Sequence, residues 1–153
     1  YIVVGQTIMM RKDLEATIKT AKDLDKEGNT IVTKLGVTGE IATKKFFKKA
    51  KIVTFETEAD AAAEVLSGRA DAMVYDQPYN VLFMSDKGKD RLVHLDTPLT
   101  YEPLGWAIRK GDPDFLNWLN NFLRQSQEDK VVGFSDELYQ KWLVETDWLQ
   151  RVQ

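Results

Sequence analysis

Short apolar segments rich in β-branched residues alternate with helix-like segments along most of this chain, and that order limits the folds it can adopt. Residues 30–33 and 51–55 have the composition of strands, and residues 40–49 between them have that of a helix. A helix that connects two strands of one sheet joins them in parallel, as a βαβ unit. The chain is therefore predicted to be an α/β protein with an open mixed or parallel sheet flanked by helices.

The remaining elements follow from apolar runs and from residues that start or end helices. Further strands are predicted at residues 2–10, 72–75, 92–95 and 105–108. Further helices are predicted at residues 21–25, in an Ala-rich segment that ends at Gly68, at residues 77–84 with an early interruption by Pro78, and after Asp112. Thr57 and Asp60 fit a capping box, and Asp112 followed by a proline fits another helix start.

The composition indicates a folded domain and excludes several classes of partner. With 153 residues, 43% of them hydrophobic, the chain can bury a core. The net charge is -3, and no basic face with exposed aromatic residues occurs, so nucleic acid is not an expected partner. No apolar run approaches the roughly 20 residues of a spanning helix. There is no cysteine, and the one histidine, His94, lies in an apolar strand, so no metal or other cofactor is predicted.

A glycine-rich turn follows the predicted strand at residues 30–33. In Gly36-Val37-Thr38-Gly39, the glycines allow close approach of a ligand to the backbone, and the following helix N-terminus favours an anion. Thr38 adds a hydroxyl donor. The alternative is that Thr38 caps the helix and the glycines only form the turn. The segment lacks the Lys-Ser/Thr of a phosphate-binding P-loop and the complete dinucleotide fingerprint.

Asp76 is the second candidate, because it ends the apolar run of residues 72–75. It either caps the next helix or pairs with a cation such as an ammonium group. Asp71, after Gly68 and Arg69, is expected to order that turn instead. Open α/β sheets bind ligands at the carboxyl ends of their strands, where Thr38 and Asp76 both lie. Together they would complement a zwitterionic amino acid.

Four motifs give the sequence a resemblance to the polar amino-acid branch of the solute-binding proteins of bacterial ABC transporters, known as extracellular solute-binding family three. In chain order they are Thr30-Ile31-Val32-Thr33-Lys34-Leu35-Gly36-Val37-Thr38, Leu66-Ser67-Gly68-Arg69-Ala70-Asp71-Ala72-Met73-Val74-Tyr75-Asp76, Leu104-Gly105-Trp106-Ala107-Ile108-Arg109-Lys110-Gly111-Asp112-Pro113 and Tyr139-Gln140-Lys141-Trp142. By this resemblance Thr38 and the helix amides hold the α-carboxylate, and Asp76 holds the α-ammonium. Val37 and Gly39 depart from the family pattern, so the carboxylate contact depends more on Thr38 and on the backbone.

The resemblance also implies two lobes. Residues 1–106 would form the second lobe with its hinge strands, and residues 107–153 would form the C-terminal helical part of the first lobe. The rest of that lobe, with an arginine that clamps the carboxylate, is expected to be absent. An apolar patch on the C-terminal helices is therefore expected to be exposed and covered by self-association, by domain swapping or by a separate segment.

The function implied is that of a non-enzymatic, extracytoplasmic amino-acid receptor of an ABC importer, either periplasmic or a cell-surface lipoprotein, that works with a membrane permease. Two alternatives share the scaffold. One is an enzyme resembling cyclohexadienyl dehydratase, for which Glu40 and Asp76 are the carboxyl groups near the cleft. The other is the input domain of a sensor protein.

Overall fold

The computed structural model describes residues 1–95, 97–128, 137–138 and 141. The chain divides into two compact units: residues 4–102 form the larger one, and residues 1–3 with residues 103–153 form the other. None of the described helices is both long and apolar enough to cross a membrane.

The larger unit is built on a five-stranded sheet. Its strands are β2 (Gln6–Arg11), β3 (Thr30–Lys34), β4 (Lys51–Phe55), β5 (Ala72–Asp76) and β6 (Leu92–Leu95), in the spatial order β4-β3-β5-β2-β6. Its helices are α1 (Ala21–Leu24), α2 (Thr38–Phe46), α3 (Glu58–Leu66) and α4 (Gln77–Asp86), and a 3-10 turn covers Lys12–Leu14. This mixed sheet flanked by helices confirms the predicted fold class.

Strand direction explains where a site can form. β3 runs parallel to β4 and to β5, whereas β2 runs antiparallel to β5 and to β6. The carboxyl ends of β3 and β5 therefore lie side by side, and the start of β2 lies beside the end of β5. In the register, Gln6 is the residue opposite Asp76.

Both faces of the sheet are covered by apolar side chains. Neighbouring residues of a strand point to opposite faces, so successive residues of one strand pack on different sides. One face includes Ile8, Met10, Ile31, Ala72 and Val74, which pack with Leu24 and Phe47 from outside the sheet. The other face includes Met9, Val32 and Met73, which pack with Ala61, Ala62 and Val65 of α3. The continuous apolar character of these strands follows from burial on both sides.

The structure corrects several predictions about the elements of this unit. The single strand predicted at residues 2–10 is broken at Gly5, where a β-carbon would lie 2.5 Å from the Thr100 carbonyl oxygen. The helix predicted at residues 40–49 begins at Thr38 and ends at Phe46. Pro78 does not interrupt α4, because a proline in the first helical turn removes no intrahelical hydrogen bond.

Local side-chain bonds confirm part of the predicted turn chemistry. Thr57 caps α3 as predicted, because its hydroxyl oxygen accepts from the Asp60 backbone amide at 3.1 Å. The Asp60 carboxylate was expected to accept from the Thr57 backbone amide. It accepts instead from the Thr57 hydroxyl at 2.6 Å. Asp71 accepts from the Thr30 amide at 2.7 Å and lies 3.4 Å from Arg11, so it joins its turn to the start of β3.

The smaller unit contains most of a two-stranded sheet and a long helix. The strands are β1 (Ile2–Val4) and β7 (Glu102–Leu104), and the helix is α5 (Pro113–Glu128). The strand predicted at residues 105–108 is wrong: β7 ends at Leu104, and residues 105–109 have no regular structure. Asp112 caps α5 as predicted, because its carboxylate accepts from the Phe115 amide at 2.9 Å. Trp142 and Trp148 lie outside the described residues.

Candidate functional site

Thr38 and Asp76 are brought to the same edge of the sheet. Thr38 is the first residue of α2 and follows β3 through the turn at Gly36, whose φ of +78° suits glycine. Asp76 is the last residue of β5, the strand beside β3. Thr38 is exposed and Asp76 is half-buried. The two candidates therefore lie at the carboxyl ends of neighbouring parallel strands.

The two side chains are joined by Gln6, which the sequence reasoning missed. The Gln6 side-chain amide nitrogen donates to Thr38 Oγ1 at 3.1 Å and to Asp76 Oδ1 at 2.5 Å. Gln6 is completely buried. It reaches both partners because β2 is antiparallel to β5 and places Gln6 opposite Asp76. The sequence does show a glutamine at the start of an apolar strand. That glutamine could be assigned to the site only with the knowledge that β2 pairs with β5.

A glycine makes room for this glutamine. A β-carbon at Gly39 would lie 2.7 Å from Gln6 Oε1 and 3.1 Å from Thr33 Oγ1. Gln6 Oε1 is also a buried oxygen that accepts no hydrogen bond within the described part of the chain. Gly39 thus lies next to the site, and the Gln6 amide group occupies the space that a side chain at position 39 would need.

Glu102 is a second acidic residue in the same network, and it too was missed. Its Oε2 accepts from the Thr38 hydroxyl at 3.0 Å and lies 3.5 Å from the Gln6 amide nitrogen. Its Oε1 accepts from the Thr100 hydroxyl at 2.7 Å, and Thr100 Oγ1 in turn accepts from the Gln6 backbone amide at 2.9 Å. Glu102 is about 64 positions from Thr38, so no local sequence pattern could indicate the contact.

The structure argues against the capping alternatives for both candidates. The N-cap position of α2 is Val37, not Thr38, and no side chain caps that helix. Asp76 occupies the N-cap position of α4, yet its carboxylate makes no capping bond. The first-turn amides of α2 therefore lack a capping side chain, although that of Glu40 donates to the Val37 carbonyl oxygen at 3.1 Å.

The predicted turn is only partly open to a ligand. The Gly36 amide donates to Glu40 Oε2 at 2.7 Å, and Lys44 Nζ donates to Glu40 Oε1 at 2.5 Å. These bonds, that of Lys44 first, hold the pKa of Glu40 below its ordinary value. Gly36 and Glu40 are consequently engaged with each other, whereas Thr38 is engaged with Gln6 and Glu102. Val37 is half-buried, and no side chain caps α2 from its position.

The site is electrostatically negative. Throughout residues 1–95 and 97–128, no lysine or arginine forms an ion pair with Asp76 or Glu102; the pairs that do form include Lys34 with Glu58 and Arg11 with Asp71. Two carboxylates facing one neutral amide group favour a cation by direct Coulomb attraction. A metal site is not formed by the described side chains, since no three metal-binding groups converge among them. His94 contacts Thr7 Oγ1 at 2.7 Å and packs within the sheet.

One open depression lies elsewhere on the larger unit. It has a volume of about 610 Å³. It is lined by the end of β2, by the end of α3 with the turn after it, and by the turn before β6, including Arg11, Gly68, Asp90 and Arg91. None of the site residues described above borders it. The candidate site is therefore defined by its hydrogen-bond network.

Comparison with known proteins gives consistent relatives, although no family model matches the chain. The chain is 30% identical over 146 residues to the ABC transporter glutamine-binding protein GlnH of Bacillus subtilis, covering 95% of this chain and 50% of that protein. It is 59% identical, with a TM-score of 0.82, to a protein from Wolinella succinogenes described as a binding component of an ABC transporter and complexed with lysine. That match covers 98% of this chain and 63% of the other.

A third relative is an ancestral cationic amino acid solute-binding protein, AncCDT-1, also described as a precursor of cyclohexadienyl dehydratase. It is 49% identical with a TM-score of 0.79, over 94% of this chain and 59% of that one. This chain spans about half the length of the curated relatives it matches. The sequence identities and the structural similarity lead to one conclusion: the chain belongs to the family of amino-acid-binding proteins of ABC transporters.

Proposed function

We propose that this chain supplies the ligand-holding sheet edge of an amino-acid receptor that serves an ABC importer. The observation that carries the proposal is the buried Gln6 amide, which holds the Thr38 hydroxyl and the Asp76 carboxylate in one network. Each group has the chemistry that one end of an amino acid requires. A site with both a carboxylate and hydroxyl or amide donors complements a zwitterion.

In this proposal Asp76 accepts from the ligand's α-ammonium group. A charge-assisted bond of this kind contributes about 1.5 to 3 kcal/mol. The Thr38 hydroxyl, once released from Glu102, and first-turn amides of α2 donate to the α-carboxylate, which the positive end of the helix dipole also favours. Gly36 and Val37 shape the turn before those amides, and Gly39 leaves space for the Gln6 side chain.

The ligand class proposed is an amino acid with a cationic side chain. Two relatives support this choice, one complexed with lysine and one described as a cationic amino acid solute-binding protein. The absence of a basic partner for Asp76 and Glu102 within residues 1–95 and 97–128 supports it as well. Lysine and arginine are therefore the first ligands to test.

The lobe assignment is part of the same proposal. Residues 1–106 act as the second lobe with its hinge strands, and residues 107–153 as the C-terminal part of the first lobe. Lobes of such receptors close on the ligand by hinge motion near Gly5 and Gly105, and a membrane permease accepts the closed form. The protein would then act outside the cytoplasm, in the periplasm or as a cell-surface lipoprotein. Self-association through the C-terminal helices would complete the apolar contacts of the first lobe.

Calorimetric titration tests the proposal. Lysine and arginine should bind the full-length protein, and Asp76→Asn should weaken binding by roughly tenfold or more, because the ammonium loses a charged acceptor. Asp90→Asn is the matched control: Asp90 is exposed and has a φ of +62°, which asparagine tolerates. Failure of the wild-type protein to bind any amino acid, or equal affinities for the two variants, would contradict the proposal.

A dehydratase is the second candidate, because one relative is described as a precursor of cyclohexadienyl dehydratase. The described groups do not favour it: Glu40 is bonded to Lys44 and Gly36, and its lowered pKa makes it a poor general acid near neutral pH. Incubation with prephenate or arogenate distinguishes the two functions. Turnover that is lost in Glu40→Gln would replace the receptor proposal.

A further inference from the structure

Glu102 lies in the candidate site although no motif pointed to it. It joins the network from β7, whereas Thr38 and Asp76 lie at the ends of β3 and β5. The carboxylate is held at both oxygens, with Thr100 Oγ1 2.7 Å from Oε1 and Thr38 Oγ1 3.0 Å from Oε2. Both donors are neutral hydroxyl groups. The position of Glu102 is therefore fixed while its negative charge is not cancelled.

The charge of Glu102 acts on the same space as that of Asp76. Both carboxylates lie within 3.5 Å of one atom, the Gln6 amide nitrogen. A zwitterion with a neutral side chain has no net charge, and its α-carboxylate would need the Thr38 proton that Glu102 accepts. A ligand with a positively charged side chain gains an additional attraction to both carboxylates, which a ligand with a neutral side chain lacks.

We propose that Glu102 is the residue that makes the site discriminate amino acids by net charge, favouring those with a cationic side chain over neutral ones of the same shape. This inference rests on the proposed function. Asp76 recognises the α-ammonium that all amino acids share and so cannot separate the two classes. Glu102 adds the second negative charge that does separate them.

Arginine and citrulline provide the test, because they have nearly the same shape and differ by one charge. In the wild-type full-length protein, arginine should bind more tightly than citrulline in calorimetric titrations. Glu102→Gln should lower that preference by roughly tenfold or more, mainly by weakening arginine and by leaving citrulline unchanged or improved. Glu102→Asp keeps the charge and should retain most of the preference.

Glu27→Gln is the matched control, because it removes the same charge from an exposed position before the start of β3. It should leave the preference unchanged. An unaltered arginine-to-citrulline ratio in Glu102→Gln, with a folded protein by circular dichroism, would overturn the inference alone. If the wild-type protein binds neither arginine, citrulline nor lysine, the proposed function itself is contradicted. If Glu102→Asp and Glu102→Gln lower the preference for arginine over citrulline equally, Glu102 has a packing role, and the inference is also contradicted.

Discussion

Gly39 matters at the residue scale because of the atom it leaves room for. In the first turn of α2, alanine is ordinarily the better helix former by about 1 kcal/mol. Here a β-carbon would lie 2.7 Å from Gln6 Oε1, 3.1 Å from Thr33 Oγ1 and 3.3 Å from the Val74 carbonyl oxygen. Gln6 is fully buried, so its amide group has little space into which it can move. The local helix preference and the demands of the site are therefore opposed at this position.

Gly39→Ala is expected to lower the free energy of unfolding by about 1 to 3 kcal/mol, since overpacking a buried site forces neighbouring groups to shift. Amino-acid affinity should fall as well, because displacement of Gln6 separates Thr38 from Asp76. Thermal or urea unfolding and calorimetry measure the two effects. Lys45→Ala is the control, because it introduces alanine at an exposed position of the same helix and should change neither measurement. A stabilised Gly39→Ala variant with unchanged affinity would contradict this account.

At the element scale, Asp25 connects the end of α1 to the segment between α2 and β4. Its carboxylate accepts three backbone amides, from Lys48 at 2.8 Å, Lys49 at 2.7 Å and Ala50 at 3.1 Å. Partial burial raises the pKa of Asp25, but the bonds from the Lys49, Ala50 and Lys48 amides outweigh it and leave the pKa below its ordinary value of 3.8. One carboxylate thus accepts hydrogen bonds from three successive backbone amides of the segment between α2 and β4.

Asp25→Ala should destabilise the protein at neutral pH by about 1 to 3 kcal/mol, because amides that lose a charged acceptor are left unsatisfied. The sign of the pH effect follows from the lowered pKa in the folded state: the contribution is present above pH 3.8 and is lost as the pH falls through the folded value. Unfolding measured between neutral and acid pH should show a smaller acid-induced loss in the variant. Glu27→Ala, at an exposed neighbouring position, should keep the wild-type pH dependence. Parallel curves for Asp25→Ala and wild type would refute this role.

The elements that could be predicted from sequence are those whose signals are local. Residues 51–55 and 92–95 were predicted with the bounds of β4 and β6, because apolar β-branched runs with clear ends determine them. The break at Gly5 and the shift of the last strand to Glu102–Leu104 depend on contacts with distant segments. The same distinction holds for the site: Thr38 and Asp76 follow recognisable motifs, whereas Gln6 and Glu102 enter it only through strand pairing.

At the scale of the whole molecule, the apolar face of α5 needs a physical explanation. The rings of Phe115 and Trp118 stack at 6.3 Å between centroids, and those of Trp118 and Phe122 stack at 5.9 Å, each with planes 9° apart. Their exposed fractions are 45%, 60% and 41%, and Leu116 is 46% exposed. The exposure of these four side chains agrees with the apolar surface expected from the sequence. Patches of this kind mark interaction surfaces or cause aggregation.

We expect this chain, expressed as residues 1–153, to bind an apolar fluorescent dye and to self-associate as its concentration rises. The double variant Phe115→Gln and Trp118→Gln should reduce dye fluorescence and move the light-scattering mass toward that of one chain, because both rings belong to the same exposed stack. Asn120→Gln, at an exposed polar position of the same helix, should change neither measurement. A chain that remains monomeric at all concentrations and binds no dye would show that the face of α5 is covered by other parts of the same molecule. Self-association that persists undiminished in the double variant would place the association surface elsewhere and would separate it from the aromatic stack of α5.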